Sequence, residues 1–156
     1  MRRNFFRLNT TQRFPIELAA AWDFFSNPRN LKEITPPELH LVVENELPSK
    51  MHTGTLICYR VRPLLGIPVH WVTEITHVEE GRLFVDEQRF GPYQFWHHQH
   101  YFQPIEGGVE MRDIIHYKLP MGPLSFLMDS FVVSRQLRRI FSYREETLAQ
   151  RFGRMN

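Results

Sequence analysis

Apolar and polar residues change rhythm twice along the chain. The opening run "NFFRLNTTQRF", residues 4–14, is rich in β-branched and aromatic residues and ends at Pro15, which predicts a strand. In "PIELAAAWDFFSN" the apolar residues Leu18, Ala21, Trp22 and Phe25 recur at helical spacing, with Pro15 acceptable in the first turn. "NPRNLKEI" predicts a second short helix with Asn27 as cap and Pro28 at its first position, stopped by "TPP" at 35–37.

From Leu39 to Leu119 the period becomes two. The runs "LHLVVENEL", "TGTLICYRVRPL", "IPVHWVTEITHVEE", "RLFVDEQRF", "YQFWHHQHYFQPI" and "GVEMRDIIHYKL" predict six further strands, punctuated by Gly54, "LLGIP", "EEG", "FGP" and "EGG". The intervals are too short for crossover helices, so an antiparallel meander is expected. After Pro123 the helical rhythm returns. Leu124, Leu127, Phe131, Leu137, Ile140, Phe141, Leu148 and Phe152 mark an apolar side, with Arg and Glu residues on the remainder. Such a helix reaches roughly 40 Å, enough to cross a small sheet.

These elements make one α+β domain over residues 1–156, with a curved seven-stranded antiparallel sheet around a long C-terminal helix and two short helices after the first strand. A single helix cannot fill the concavity of such a sheet, so a cavity between helix and sheet is the expectation. The composition agrees with a hollow interior: 13 Phe, 5 Tyr and 3 Trp are more rings than close packing of so small a core needs.

Alternation along "FWHHQH", residues 95–100, places Trp96, His98 and His100 on one strand face. On the next strand Asp113, Ile115 and Tyr117 alternate onto the same inward side. The preceding strand is mixed on both faces; Asp86 and Gln88 are read as inward because Glu87 and Arg89 are harder to bury. Tyr59 and Trp71 join them from upstream strands, and Cys58, alternating with Tyr59, faces away. The expected ligand-binding set is Tyr59, Trp71, Phe84, Asp86, Gln88, Trp96, His98, His100, Asp113, Tyr117 and Phe131. Apolar walls with a few polar groups suit a small organic molecule.

Three chemistries compete for the polar group. His98, His100 and Asp113 are candidates for acid–base catalysis, since an imidazole beside a carboxylate titrates near neutrality. A hydrogen-bonded network that only holds the sheet in register is the second reading. Metal ligation by His98, His100 and Asp113 is the third; it is disfavoured because same-face residues on one strand lie roughly 6–7 Å apart at Cα, and neither a metal nor another cofactor is expected. Walker, GxGxxG, GxSxG, CxxC and HExxH patterns do not occur, which removes the common nucleotide, hydrolase and zinc-protease mechanisms.

Charge changes the picture little. The net charge is +2, and the arginines gather at the two ends, Arg2, Arg3 and Arg7 at one and Arg135, Arg138, Arg139, Arg144, Arg151 and Arg154 at the other. Glu145 and Glu146 interrupt the second group and no nucleic-acid motif accompanies it, so it is read as a solvated helix face rather than a nucleic-acid surface; a partner surface on the basic helix is the alternative. With one cysteine, a basic start whose apolar run is broken at Arg7, and no spanning segment, a cytoplasmic protein without membrane anchoring is expected.

The element order, with "FPIELAAAWDFFSNPRNLKEITPP", "GIPVHWVTEI", "DEQRFGPYQFWHHQHYF" and "DIIHYKLPMGPL", resembles small bacterial members of the SRPBCC (START and pollen-allergen-like) superfamily over nearly the whole chain. The resemblance implies the helix-grip fold and a hydrophobic or aromatic small-molecule ligand in the cavity between sheet and helix. It also implies the alternative of a polyketide cyclase or dehydrase working there.

Overall fold

A computed structural model describes residues 5–64, 66–120 and 125–155. Strand β1 (Phe6–Phe14) leads into helix α1 (Leu18–Phe25), two 3-10 turns (Pro28–Lys32 and Pro37–Leu39) and the short β2 (Val42–Val43). Strands β3 (Leu56–Leu64), β4 (Ile67–Glu79), β5 (Leu83–Phe90), β6 (Phe95–Ile105) and β7 (Gly108–Lys118) follow. Helix α2 (Ser125–Met128), a π turn (Asp129–Val133) and helix α3 (Ser134–Phe152) close the chain. Among the positions used in the sequence analysis, Arg2, Arg3, Asn4, Leu65, Pro123 and Leu124 lie outside the described residues.

All seven strands form one antiparallel sheet in the order β1-β7-β6-β5-β4-β3-β2. Register shifts between Val61 and Leu64, between Val72 and Thr73, and between Ile75 and His77 interrupt the β3–β4 and β4–β5 ladders. Bulges of this kind bend and twist a strand, and they give the sheet its concave face.

Local chemistry explains most element ends. The Asn27 side chain accepts a hydrogen bond from the Arg29 backbone N–H at 3.1 Å, but the segment it caps winds as a five-residue 3-10 turn. The proline pair at 36 and 37 follows before an α-helix can lengthen. The strand expected over 39–47 shrinks to Val42–Val43, because Pro36 and Pro37 start a further 3-10 turn and His40 takes a left-handed conformation, φ 46°.

The core has two parts. At one end Trp22, Phe24 and Phe25 of α1 pack with Phe14, Phe102 and Leu148, ring against ring. At the other, Trp96, Ile115, Tyr117 and Leu119 meet Val133 and Leu137 of the helical arm. Phe14 and Phe102 are therefore packing rather than cavity wall, while Phe24 and Phe25 do both; each fully buried ring contributes about 1.5–3 kcal/mol. Two exposed ion pairs, Arg139–Glu38 at 2.8 Å and Arg151–Glu33 at 2.6 Å, tie α3 to the 3-10 turns. Among the described residues no helix is long and apolar enough to cross a membrane.

Candidate functional site

A cavity of about 220 Å³ lies between the concave sheet, the 3-10 segment and α3. Period-two alternation on β6 buries Trp96, His98, His100 and Phe102 on the inner face and leaves Phe95, His97, Gln99 and Tyr101 less buried on the outer one. Trp96, His98 and His100 line the cavity, with Phe84 and Asp86 of β5 beside them. From β3 and β4 come Tyr59 and Trp71, stacked with ring centroids 5.8 Å apart; Trp71 meets Trp96 edge-on at 5.4 Å. Ile57, Tyr59 and Val61 face the cavity and Cys58 does not.

The polar end is a closed ring of four side chains. Register sets Asp86 opposite His98 and His100 opposite Asp113, so three neighbouring strands each contribute. His98 Nε2 donates to Asp113 Oδ1 at 2.9 Å and His100 Nε2 donates to Asp86 Oδ2 at 2.7 Å. The other nitrogens complete the ring: His98 Nδ1 lies 3.3 Å from Asp86 Oδ2 and His100 Nδ1 lies 2.9 Å from Asp113 Oδ1. Distance alone does not make a hydrogen bond, and the buried His100 Nδ1 has no directed partner. The imidazoles stack, centroids 3.7 Å apart, and Phe84 covers His100 at 4.0 Å.

Burial by itself raises a carboxyl pKa, yet both acids are held low. For Asp86 the charge of His98 and the hydrogen bonds from His100 and His98 outweigh burial; for Asp113 the Arg144 guanidinium leads, followed by the same two imidazoles. Burial lowers His98, but Asp86 and Asp113 outweigh it and hold its pKa above the ordinary value. The ring therefore contains ionised carboxylates with imidazoles that favour their protonated form at His98.

Four expected residues stand elsewhere. Asp113 is buried behind the histidines, lining a second, polar cavity of about 180 Å³ with Arg138 and Arg144. Gln88 turns back on its own hairpin: its Nε2 donates to the Tyr93 carbonyl at 2.7 Å and its Oε1 accepts from the Tyr93 N–H at 3.1 Å. Tyr117 is buried against the helical arm, where its hydroxyl donates to Asp129. Phe131 is corrected outright, being 67% exposed. Phe131 sits within the π turn, and Val133, four before Leu137, takes the inward place.

Residues not expected at the site come from the 3-10 segment, among them Leu31, Ile34 and Leu39, and from α3. Leu137, Phe141 and Arg144 line the cavity, and Arg144 is seven residues after Leu137 and four before Leu148, squarely on the apolar stripe. Its guanidinium lies over the rings of Phe25 and Phe141, 5.6 Å from each centroid, and its buried Nε has no hydrogen-bond partner. Helical spacing carried this signal; reading every arginine as solvated concealed it.

The concave sheet gripping one long C-terminal helix, with this cavity between them, decides the architecture. The chain has the helix-grip fold. Solved helix-grip structures superpose over almost its whole length. Protein CV1439 from Chromobacterium violaceum aligns at TM-score 0.67 and 14% identity, covering 97% of this chain and 99% of that one. Protein Ms6760 from Mycobacterium smegmatis aligns at 0.65 and 18% identity, covering 92% and 91%. Ara h 8.0201 aligns at 0.61 and 15% identity, covering 93% and 99%. No protein-family model and no curated protein matches the sequence.

Proposed function

We propose that the protein binds a compact apolar or aromatic small molecule in the cavity between sheet and α3. The observation that carries this reading is the 220 Å³ hollow itself, walled by Tyr59, Trp71 and Trp96 and polar at one end through Asp86, His98 and His100. Sites for drug-sized ligands commonly measure about 300–1,000 Å³, so the volume favours a small ring system over a long acyl chain. The carboxylate and imidazoles would orient a hydroxyl or carbonyl of the guest, while the rings stack on its faces.

Native mass spectrometry of freshly purified protein is expected to show one retained compound per chain. A two-ring probe, 2-naphthol, is expected to quench Trp71 and Trp96 fluorescence with saturable 1:1 binding. Val61→Trp, which fills the hollow from β3, should abolish both signals while leaving the circular dichroism spectrum unchanged. Equal probe binding by folded V61W would refute the reading.

The imidazole–carboxylate pairs facing the cavity favour a second reading, a cyclase or dehydrase in which His98 or His100 moves the proton and its carboxylate sets the tautomer. Once the retained compound is identified, His98→Gln is expected to cut its turnover by at least about 100-fold, the low end of a general acid–base contribution. Affinity should change far less. Equal losses in both would leave only a binding role.

A further inference from the structure

We propose that Asp86, His98 and His100 form a site for one divalent transition-metal ion, zinc or iron(II), at the polar end of the cavity. The site is built on two rigid neighbouring strands, β5 and β6, and does not depend on which organic guest the cavity takes. Each of the three residues offers one donor atom, and these atoms lie within 4.8 Å of one another. Asp86 Oδ2 is 2.7 Å from His100 Nε2 and 3.3 Å from His98 Nδ1. Ligands held about 2.0–2.1 Å from one metal sit roughly 2.9–3.4 Å apart, so the donors need only small displacements to share an ion.

Same-strand spacing argued against such a site, and the stacking of the rings answers it. The side chains of His98 and His100 lean together until their centroids are 3.7 Å apart, well inside the Cα separation along the strand.

The groups behind the donors fit the same purpose. Asp113 on β7 faces the far nitrogen of each imidazole, His98 Nε2 at 2.9 Å and His100 Nδ1 at 2.9 Å. An outer carboxylate on the distal N–H is what orients metal-bound histidines and raises their basicity. A single aspartate serves both here. The buried His100 Nδ1, without a directed partner, needs only a slight ring rotation to complete its bond. Asp86 places a carboxylate among the three ligating atoms, which suits a cation.

The three donors line the cavity and Asp113 does not, so an ion held there keeps its open positions toward the guest. Two imidazoles and one carboxylate with vacant positions select ions of the zinc and iron(II) kind over magnesium or calcium. A hydroxyl, carbonyl or carboxylate of the guest then has an ion to bind.

The test uses full-length, tag-free protein stripped with a chelator, dialysed against Zn²⁺ or Co²⁺ at neutral pH and assayed for bound metal by mass spectrometry. One equivalent per chain is expected. Paramagnetic Co²⁺ should shift the ring protons of His98 and His100 by contact coupling, far more than those of His97 and His116, which locates the ion in the wild-type protein. Asp86→Asn and His100→Gln should weaken Co²⁺ binding at least 100-fold; His97→Ala should not change it. Folded wild-type protein that holds less than one tenth of an equivalent overturns the proposal. So does Co²⁺ that perturbs the outer histidines instead.

Discussion

Replacing Asp113 by alanine is expected to lower the unfolding free energy by about 3–5 kcal/mol, the cost of breaking a buried charged network by removing one partner. Asp113 is 7% exposed and holds together two imidazoles of β6 and the Arg144 guanidinium of α3. Its loss leaves the His98 Nε2–H without its acceptor, the His100 Nδ1 facing a void, and Arg144 without the carboxylate that its charge stabilises. Water reaches such a site poorly, so the stranded groups bear most of their desolvation cost. Asp113→Asn retains one carbonyl acceptor and nearly the same volume, and should cost about 1–3 kcal/mol. Urea denaturation of both variants in metal-free buffer measures the difference. An alanine variant within 1 kcal/mol of the wild type would mean that the ring is not closed in solution.

The second large effect is a stability maximum on the acid side of neutrality in the metal-free protein. Asp86 and Asp113 have folded pKa values below those of the unfolded chain. Their contribution is complete above the unfolded value of about 3.9 and is lost as pH falls below it. His98 has the opposite sign. Its folded pKa is raised, so its contribution is complete below the unfolded value of about 6.5 and is lost as pH climbs through the folded one. The two limits enclose a window from about pH 4 to pH 6.5.

Two groups oppose this trend weakly. His116 is lowered by burial and by Arg7 and His97, and Asp129 is raised by burial, each a single group against the three of the ring. Urea midpoints from pH 3 to pH 9 should therefore peak inside the window. His98→Gln should flatten the alkaline side and, by removing the charge that lowers Asp86, weaken the acid side as well. A wild-type profile that rises steadily from pH 5 to pH 8 would contradict the assignment of charge in the ring.

Legibility in the sequence followed the periodicities. Period two is unambiguous in β6, and it alone puts Trp96, His98 and His100 on one face. Asp86 was legible through the cost of burying its neighbours: Glu87 and Arg89 pair with each other on the outer face, where Arg89 also meets Glu74. Sequence patterns fell short where one residue answers to a distant partner. Gln88 alternates inward, but its amide matches the Tyr93 backbone so well that it closes the β5–β6 turn instead. Tyr117 also alternates inward and finds Asp129 on the helical arm, a partner 12 residues away that period two does not reveal. Arg144 lies on the helical stripe, but rules that send charge to water cannot anticipate two aromatic rings and an ionised aspartate waiting beneath it.

The four-membered ring also decides which wall of the chamber can yield. By stitching β5, β6 and β7 through buried ionic bonds it turns that part of the sheet into a fixed back plate. The opposite rim, where α3 meets the 3-10 turns, is fastened by the solvent-exposed pairs Arg139–Glu38 and Arg151–Glu33, links worth only about 0–1 kcal/mol each and loosened by salt. Opening of the chamber is therefore expected at the helical rim, and it should become easier as ionic strength rises.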